Sequence, residues 1–276
     1  MASLFRLGVL TLAVALAVPA LAGCTTPLPW SPEGKNQRSG PGDHALDFIR
    51  GSPYSKLHIV VDYVKGAEPN EAALNVLVAT AREVLDKKEV TLTKHENIPA
   101  KGADHAYTFK EVNEIELEHR RDYTGGDTAV MYFLYLDGVS EKDTKDGSVL
   151  GAAYRGSSVV MFKNNIRKAV EQNKGQLGGL LGPSTQQMET IVERAVLVHE
   201  MGHLLGLVDN GIPMQKDRLD RDPNHTPKHS TNPKSVMYWA VENTGGLKNF
   251  LQGNTDIPYR FDEDDKADIN AAKKTG

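Results

Sequence analysis

Residues 195–209 read Ala195-Val196-Leu197-Val198-His199-Glu200-Met201-Gly202-His203-Leu204-Leu205-Gly206-Leu207-Val208-Asp209. Upstream, Met188, Ile191, Val192, Ala195 and Val196 recur at helical spacing, and Ser184 with Gln187 forms the reciprocal pattern that caps a helix. The spacing predicts one long buried helix from Ser184 to Leu205. His199 and His203, four positions apart, lie one turn apart on the same face, so both rings reach a single ion. Neutral imidazole suits Zn2+, and three protein ligands leave a fourth position for water. Glu200 stands beside the first histidine. There its carboxylate can take the proton of a water whose pKa the metal lowers toward about 7. Gly206, three residues after His203, lets the helix end in a left-handed turn that sends the chain back toward the ion.

The rest of the chain alternates strand and helix from about residue 50 onward. Leu57–Val64, Ala129–Leu136 and Ser157–Phe162 are β-branched and apolar, and Gly151–Tyr154 is placed to pair with the last of them. Val90–Leu92 is a short strand. Ala73, Leu74, Leu77, Val78, Ala81 and Leu85 mark an amphipathic helix over 70–88, and Thr108 with Glu111 caps another that runs to about Arg121. A last helix begins near Asp262, with acids in its first turn where the helix dipole favours them. Such alternation implies an α+β (α/β-like) domain, a sheet packed on helices.

The extended pattern His199-Glu200-x-x-His203-x-x-Gly206-x-x-Asp209, followed by Ser235-Val236-Met237-Tyr238, resembles the metzincin-type zinc metallopeptidases. In that family a methionine turn underlies the metal, and Met237 matches it here; by itself a thioether is equally an ordinary core residue. The resemblance implies a Zn2+-dependent peptidase acting on protein or peptide, with Glu200 as general base and His199 and His203 as ligands. It also implies a mixed sheet above the active-site helix, a Met-turn and a C-terminal helix. Residues 151–163 would supply the antiparallel edge strand on which extended peptide binds. Some metzincins place a tyrosine two residues after the methionine. Here Tyr238 is adjacent and Trp239 takes that place, so the tyrosine's role is not carried over.

The third ligand has two readings. Asp209 fits the short spacing and resembles the Asp-type pattern of snapalysin, and a carboxylate is a competent zinc ligand. His229 is the alternative. In the archaemetzincin branch a third histidine is followed by Cys, four residues, Cys, one residue and Met, and 229–237 keeps that register with Ser230 and Ser235 in the cysteine positions. Asp209 is taken first, His229 second and His225 a distant third; loop histidines are otherwise solvated. His44, His58, His95, His105 and His119 lack metal spacing.

Composition narrows the class. The 276 residues are 39% hydrophobic and 25% charged, which excludes a wholly disordered or multi-spanning chain. A net charge of -4 with signs interspersed gives no footprint for nucleic acid. The single cysteine excludes an internal disulfide.

That cysteine ends an address. After Arg6, Leu7–Val18 is an apolar run too short for a comfortable membrane span, and Leu21-Ala22-Gly23-Cys24 resembles the lipobox of bacterial lipoproteins. The resemblance implies a signal peptide over 1–23, lipid on Cys24 and anchorage in the bacterial cell envelope. Thr25 rather than Asp next to it favours the outer membrane where the host has one. Residues 24–49, rich in Pro and Gly up to about Asp43, read as the lipidated Cys and a flexible tether before a zinc peptidase domain over 50–276. The expectation is a monomeric, extracytoplasmic endopeptidase. The rival readings are a non-catalytic zinc-containing lipoprotein that binds a peptide or protein partner, and a metal-dependent hydrolase of other envelope material.

Overall fold

The apolar runs become the centre of a five-stranded sheet. The computed structural model describes residues 27, 28, 30–145, 147–177, 184–246 and 257–274. In chain order the elements are α1 (Pro32–Arg38), α2 (Ala45–Ile49), β1 (Lys56–Val64), α3 (Glu71–Val84), β2 (Glu89–Ile98), β3 (Ala106–Tyr107), α4 (Phe109–His119), β4 (Thr128–Leu136), β5 (Val139–Ser140), β6 (Gly151–Arg155), β7 (Ser158–Phe162), α5 (Lys163–Leu177), α6 (Thr185–Leu204), a 3-10 turn over Trp239–Val241, and α7 (Glu263–Lys274).

The sheet runs β2-β1-β4-β7-β6. Its first three pairings are parallel and β6 lies antiparallel to β7 at the edge. This is the mixed α+β architecture expected, with its antiparallel edge strand. Successive residues of a strand face opposite sides. Ile59, Val61, Met131, Phe133 and Tyr135 therefore join α2, α3, α5, α6 and α7 in the larger core, while Val60, Val130, Tyr132 and Leu134 meet α4 in the smaller one. Burial on both faces explains why β4 reads as a continuous apolar run.

Both capping boxes form. Thr108 and Glu111 open α4, and Ser184 and Gln187 open α6. Glu193, fully buried in the middle of α6, accepts from Tyr135 Oη at 3.0 Å and from the Asn70 backbone N–H at 2.7 Å, and pairs with Lys163. These bonds set α6 against β4 and the start of α3, so the five residues His199 to His203 at its far end, the pentad, are held in register. Among the described residues, no helix is long and apolar enough to cross a membrane.

The N-terminal segment departs from the expected tether. Residues 1–23 and Cys24 lie outside the described residues, but 32–49 is folded onto the domain. Ser31 Oγ accepts from the Gly34 N–H at 3.0 Å, and Pro32 starts α1, where a missing N–H costs nothing. Buried Asn36 donates to Glu116 Oε1 at 2.8 Å and to Ser158 Oγ at 3.1 Å, and accepts from Ser157 Oγ at 2.7 Å. Phe48 and Ile49 lie in the larger core. The folded part thus begins near Pro32, not at residue 50. Helix α5 is a further element that the sequence reading lacks; its Ile166, Ala169 and Val170 supply a narrow apolar stripe to the larger core.

Candidate metal centre

Helix α6 presents His199, Glu200 and His203 at its buried C-terminal end, where all three are at most 8% exposed. Gly206 has φ +73°, so the helix closes in the left-handed turn that the glycine predicts. The chain then passes through a long loop and brings His229 back to the helix. His229 Nε2 lies 3.0 Å from His199 Nε2 and 3.2 Å from His203 Nε2, and the two α6 histidines are 3.1 Å apart at the same atoms.

The other ring nitrogens explain what this triangle is for. His199 Nδ1 stands 2.6 Å from the Val236 carbonyl, and His229 Nδ1 stands 2.8 Å from the Thr226 carbonyl. A carbonyl only accepts, so each Nδ1 carries the hydrogen, and in the neutral ring each Nε2 turns its lone pair to the centre. Burial pushes the His203 pKa well down, helped by His199 and His229, and burial likewise lowers His199. Lone pairs converging at about 3 Å repel one another, and one proton answers only one such contact. A divalent ion answers all three. A point about 2.05 Å from each nitrogen, the usual zinc–imidazole distance, exists about 1 Å from the plane of such a triangle. The donor set therefore fits Zn2+.

Asp209, taken first as third donor, is elsewhere. It sits in the left-handed region (φ 59°) with its carboxylate exposed and 3.2 Å from Lys228 Nζ. Three positive-φ residues, Gly206, Val208 and Asp209, turn the chain away before this side chain can reach the cluster. The geometry gathers His229 instead. His225 is also apart, stacked on Trp239 with ring centroids 3.7 Å apart and paired with Asp220 at 2.8 Å.

Glu200 is poised beside the triangle. Its Oε2 accepts from the Ala153 N–H of β6 at 2.7 Å, and its Oε1 is buried without a hydrogen-bond partner. Burial raises its pKa well above the usual carboxylate value, and the nearby Glu242 raises it further. Met237, fully buried, packs against the turn of α6 that carries the two histidines. A Cβ on Gly202 would overlap the Met237 sulfur, so the helix and the turn approach as closely as a glycine permits. The turn itself is pinned: Met237 N–H donates to Ser235 Oγ at 2.9 Å, and Ser235 Oγ donates to Asp265 Oδ2 at 2.7 Å. Asp265 and Asp268 of α7 both accept from Arg218 Nη2, at 2.9 and 2.6 Å. The acidic run at 262–265 is thus partly a helix start and partly the anchor of this turn.

One residue of the site carried no sequence signal. Glu242 Oε2 lies 3.4 Å from His229 Nε2 and 3.8 Å from His199 Nε2. Burial opposes its charge, but those two imidazoles hold its pKa well below the usual range. A cleft opens onto the cluster, lined by Ala153, Tyr154, Glu200, His203, His229 and Glu242 among others. Tyr154 joins the smaller core and meets Phe109 edge-on at 6.3 Å, as a packing residue does.

No protein-family model and no curated protein matches the chain. Among solved structures it is similar to an archaemetzincin from Methanopyrus kandleri, with a TM-score of 0.46 and 15% identity over 81% of this chain and 98% of that one. It is also similar to metalloproteinase-II from Bacteroides fragilis, with a TM-score of 0.39 and 13% identity over 88% of this chain and 60% of that one. At identities this low, what the site can do rests on its own side chains.

Proposed function

We propose that this chain is a zinc-dependent endopeptidase of the metzincin type, with Zn2+ held by His199, His203 and His229. The observation that carries the proposal is the triangle of three buried Nε2 atoms, two of them locked as acceptors by carbonyls behind them, with a carboxylate at its side. Bound zinc supplies a Lewis acid that polarises a scissile carbonyl and acidifies water. Glu200 is suited to the proton transfers. One oxygen is pinned by Ala153, and the other, Oε1, is free to receive a proton from water and pass it to the leaving amine. The edge strand β6 runs along the cleft and offers main chain to an extended peptide.

The Leu21-Ala22-Gly23-Cys24 sequence supports anchorage at the bacterial cell envelope through lipid on Cys24, with the domain outside the cytoplasm and the outer membrane favoured where there is one. In the alternative, a non-catalytic zinc lipoprotein, the same ion would serve a binding site; the nearness of Glu242 to the cluster favours that second reading. The two separate in one experiment. The signal-free, zinc-loaded protein is incubated with a diverse peptide mixture beside its Glu200→Ala variant, and cut sites are read by mass spectrometry. Cuts made only by the intact protein are expected; none at full zinc loading would replace the peptidase by the binding lipoprotein. A Cys24→Ala variant expressed in cells should leave the membrane fraction.

A further inference from the structure

We infer that Glu242 is a fourth protein donor that caps the metal site in its resting state. The inference rests on the metal reading above and deepens it.

Three facts carry it. First, the carboxylate faces the same centre as the histidines: its Oε2 is within 3.4 and 3.8 Å of two of the three Nε2 atoms, and all four donors lie within 4.8 Å of one another. Second, its backbone is fixed. Leu150 N–H donates to the Glu242 carbonyl at 2.9 Å, and Asn243 bridges antiparallel to Val149, so residue 242 is clamped to the approach of the edge strand. Third, among the described residues its carboxylate pairs with His199 and His229 and with no lysine or arginine. A carboxylate facing imidazole nitrogens is stabilised by a proton on one of them or by a cation between them, and only the cation serves all four groups at once.

Three histidines leave one tetrahedral position open, and a fourth protein donor fills it, as in closed structural zinc sites. Glu242 therefore faces the position that water or a substrate carbonyl would take, and a small rotation would bring its oxygen into it. It lies at the cleft, just beyond the 3-10 turn and 16% exposed, so an incoming peptide along β6 meets it directly. Turnover then requires the carboxylate to swing aside as the substrate enters.

The test uses Co2+ in place of zinc, loaded one to one, with azide as the probe for an open coordination position. In the wild type, azide should leave the visible spectrum unchanged. In Glu242→Ala it should shift the spectrum, and metal affinity measured against a chelator should fall at least ~10-fold. Glu242→Gln, nearly isosteric, guards against a folding defect and should weaken the metal in the same direction. A wild type whose spectrum responds to azide as Glu242→Ala does, with equal metal affinity, overturns the cap and leaves the three-histidine site standing. A wild type that takes up no Co2+ or Zn2+ overturns both.

Discussion

The backbone N–H of Ala153 donates to Glu200 Oε2 at 2.7 Å, joining the edge strand of the sheet to a carboxylate of α6. This bond commits one oxygen to positioning and leaves Oε1 alone in a buried setting. Glu200→Gln keeps the shape and removes the base. Turnover should fall by at least about 100-fold, the usual scale of a lost acid–base group, while zinc content by atomic absorption stays at one per chain. Retained turnover would remove Glu200 from the mechanism.

Metal retention separates the two candidate third donors. His203→Ala and His229→Ala should each abolish stoichiometric zinc binding after dialysis. Asp209→Ala should keep it, because that side chain is exposed and paired with Lys228 rather than facing the histidines. The reverse pattern, zinc lost with Asp209 and kept without His229, would overturn the ligand set.

Gly202 and Met237 form a contact that admits no further atom. Gly202→Ala should destabilise the protein by about 1–3 kcal/mol, the range for overpacking, despite the better helix propensity of alanine. Combining it with Met237→Ala should cost less than the two single changes together, since the second vacates the space the first needs. Chemical denaturation of the four proteins reads this directly, and strict additivity would refute the contact.

Glu111 gives a pH-dependent contribution far from the metal. The Thr108 backbone N–H, then Lys101, hold its carboxyl at about 2, below the ordinary 4.5. A depressed carboxyl contributes stability that is fully present above its ordinary value and is lost as pH falls through about 2. Glu111→Gln should therefore cost about 1 kcal/mol at pH 6, the scale of a helix cap, and less as pH drops below about 4.5. A difference from wild type that stays constant down to pH 3 would contradict this.

What the sequence reveals depends on whether the cause is local. Ser184, Gln187, Thr108 and Glu111 announce their helices because each cap closes within three residues. Leu57–Val64 and Ala129–Leu136 read as strands because both faces are buried. Strand β2 is legible only at 90–92, since most of 89–98 is exposed and polar and its strand form comes from parallel pairing with β1. The pentad, Gly206 and Met237 are readable as spacing. The choice between Asp209 and His229 is not: it depends on the path of a loop whose positive-φ residues include a valine, a β-branched type that does not advertise that conformation. Glu242 is silent because its partners are 13 and 43 residues away and it belongs to no repeat or motif.

The docking of α1 changes how far the domain can stray. For a chain anchored through Cys24, as proposed, a linker reaching to residue 50 would span about 90 Å when fully drawn out, at about 3.5 Å per residue. With Ser31 capping a helix already bound to the domain, only six residues lie between the lipid-bearing position and that cap, a leash of at most about 25 Å. Pro41, beyond that helix, already lines the cleft. A peptidase held this way, as proposed, would graze rather than range: its cleft would meet polypeptides lying at or emerging from the bilayer surface, and those deeper in the surrounding fluid would have to come to it.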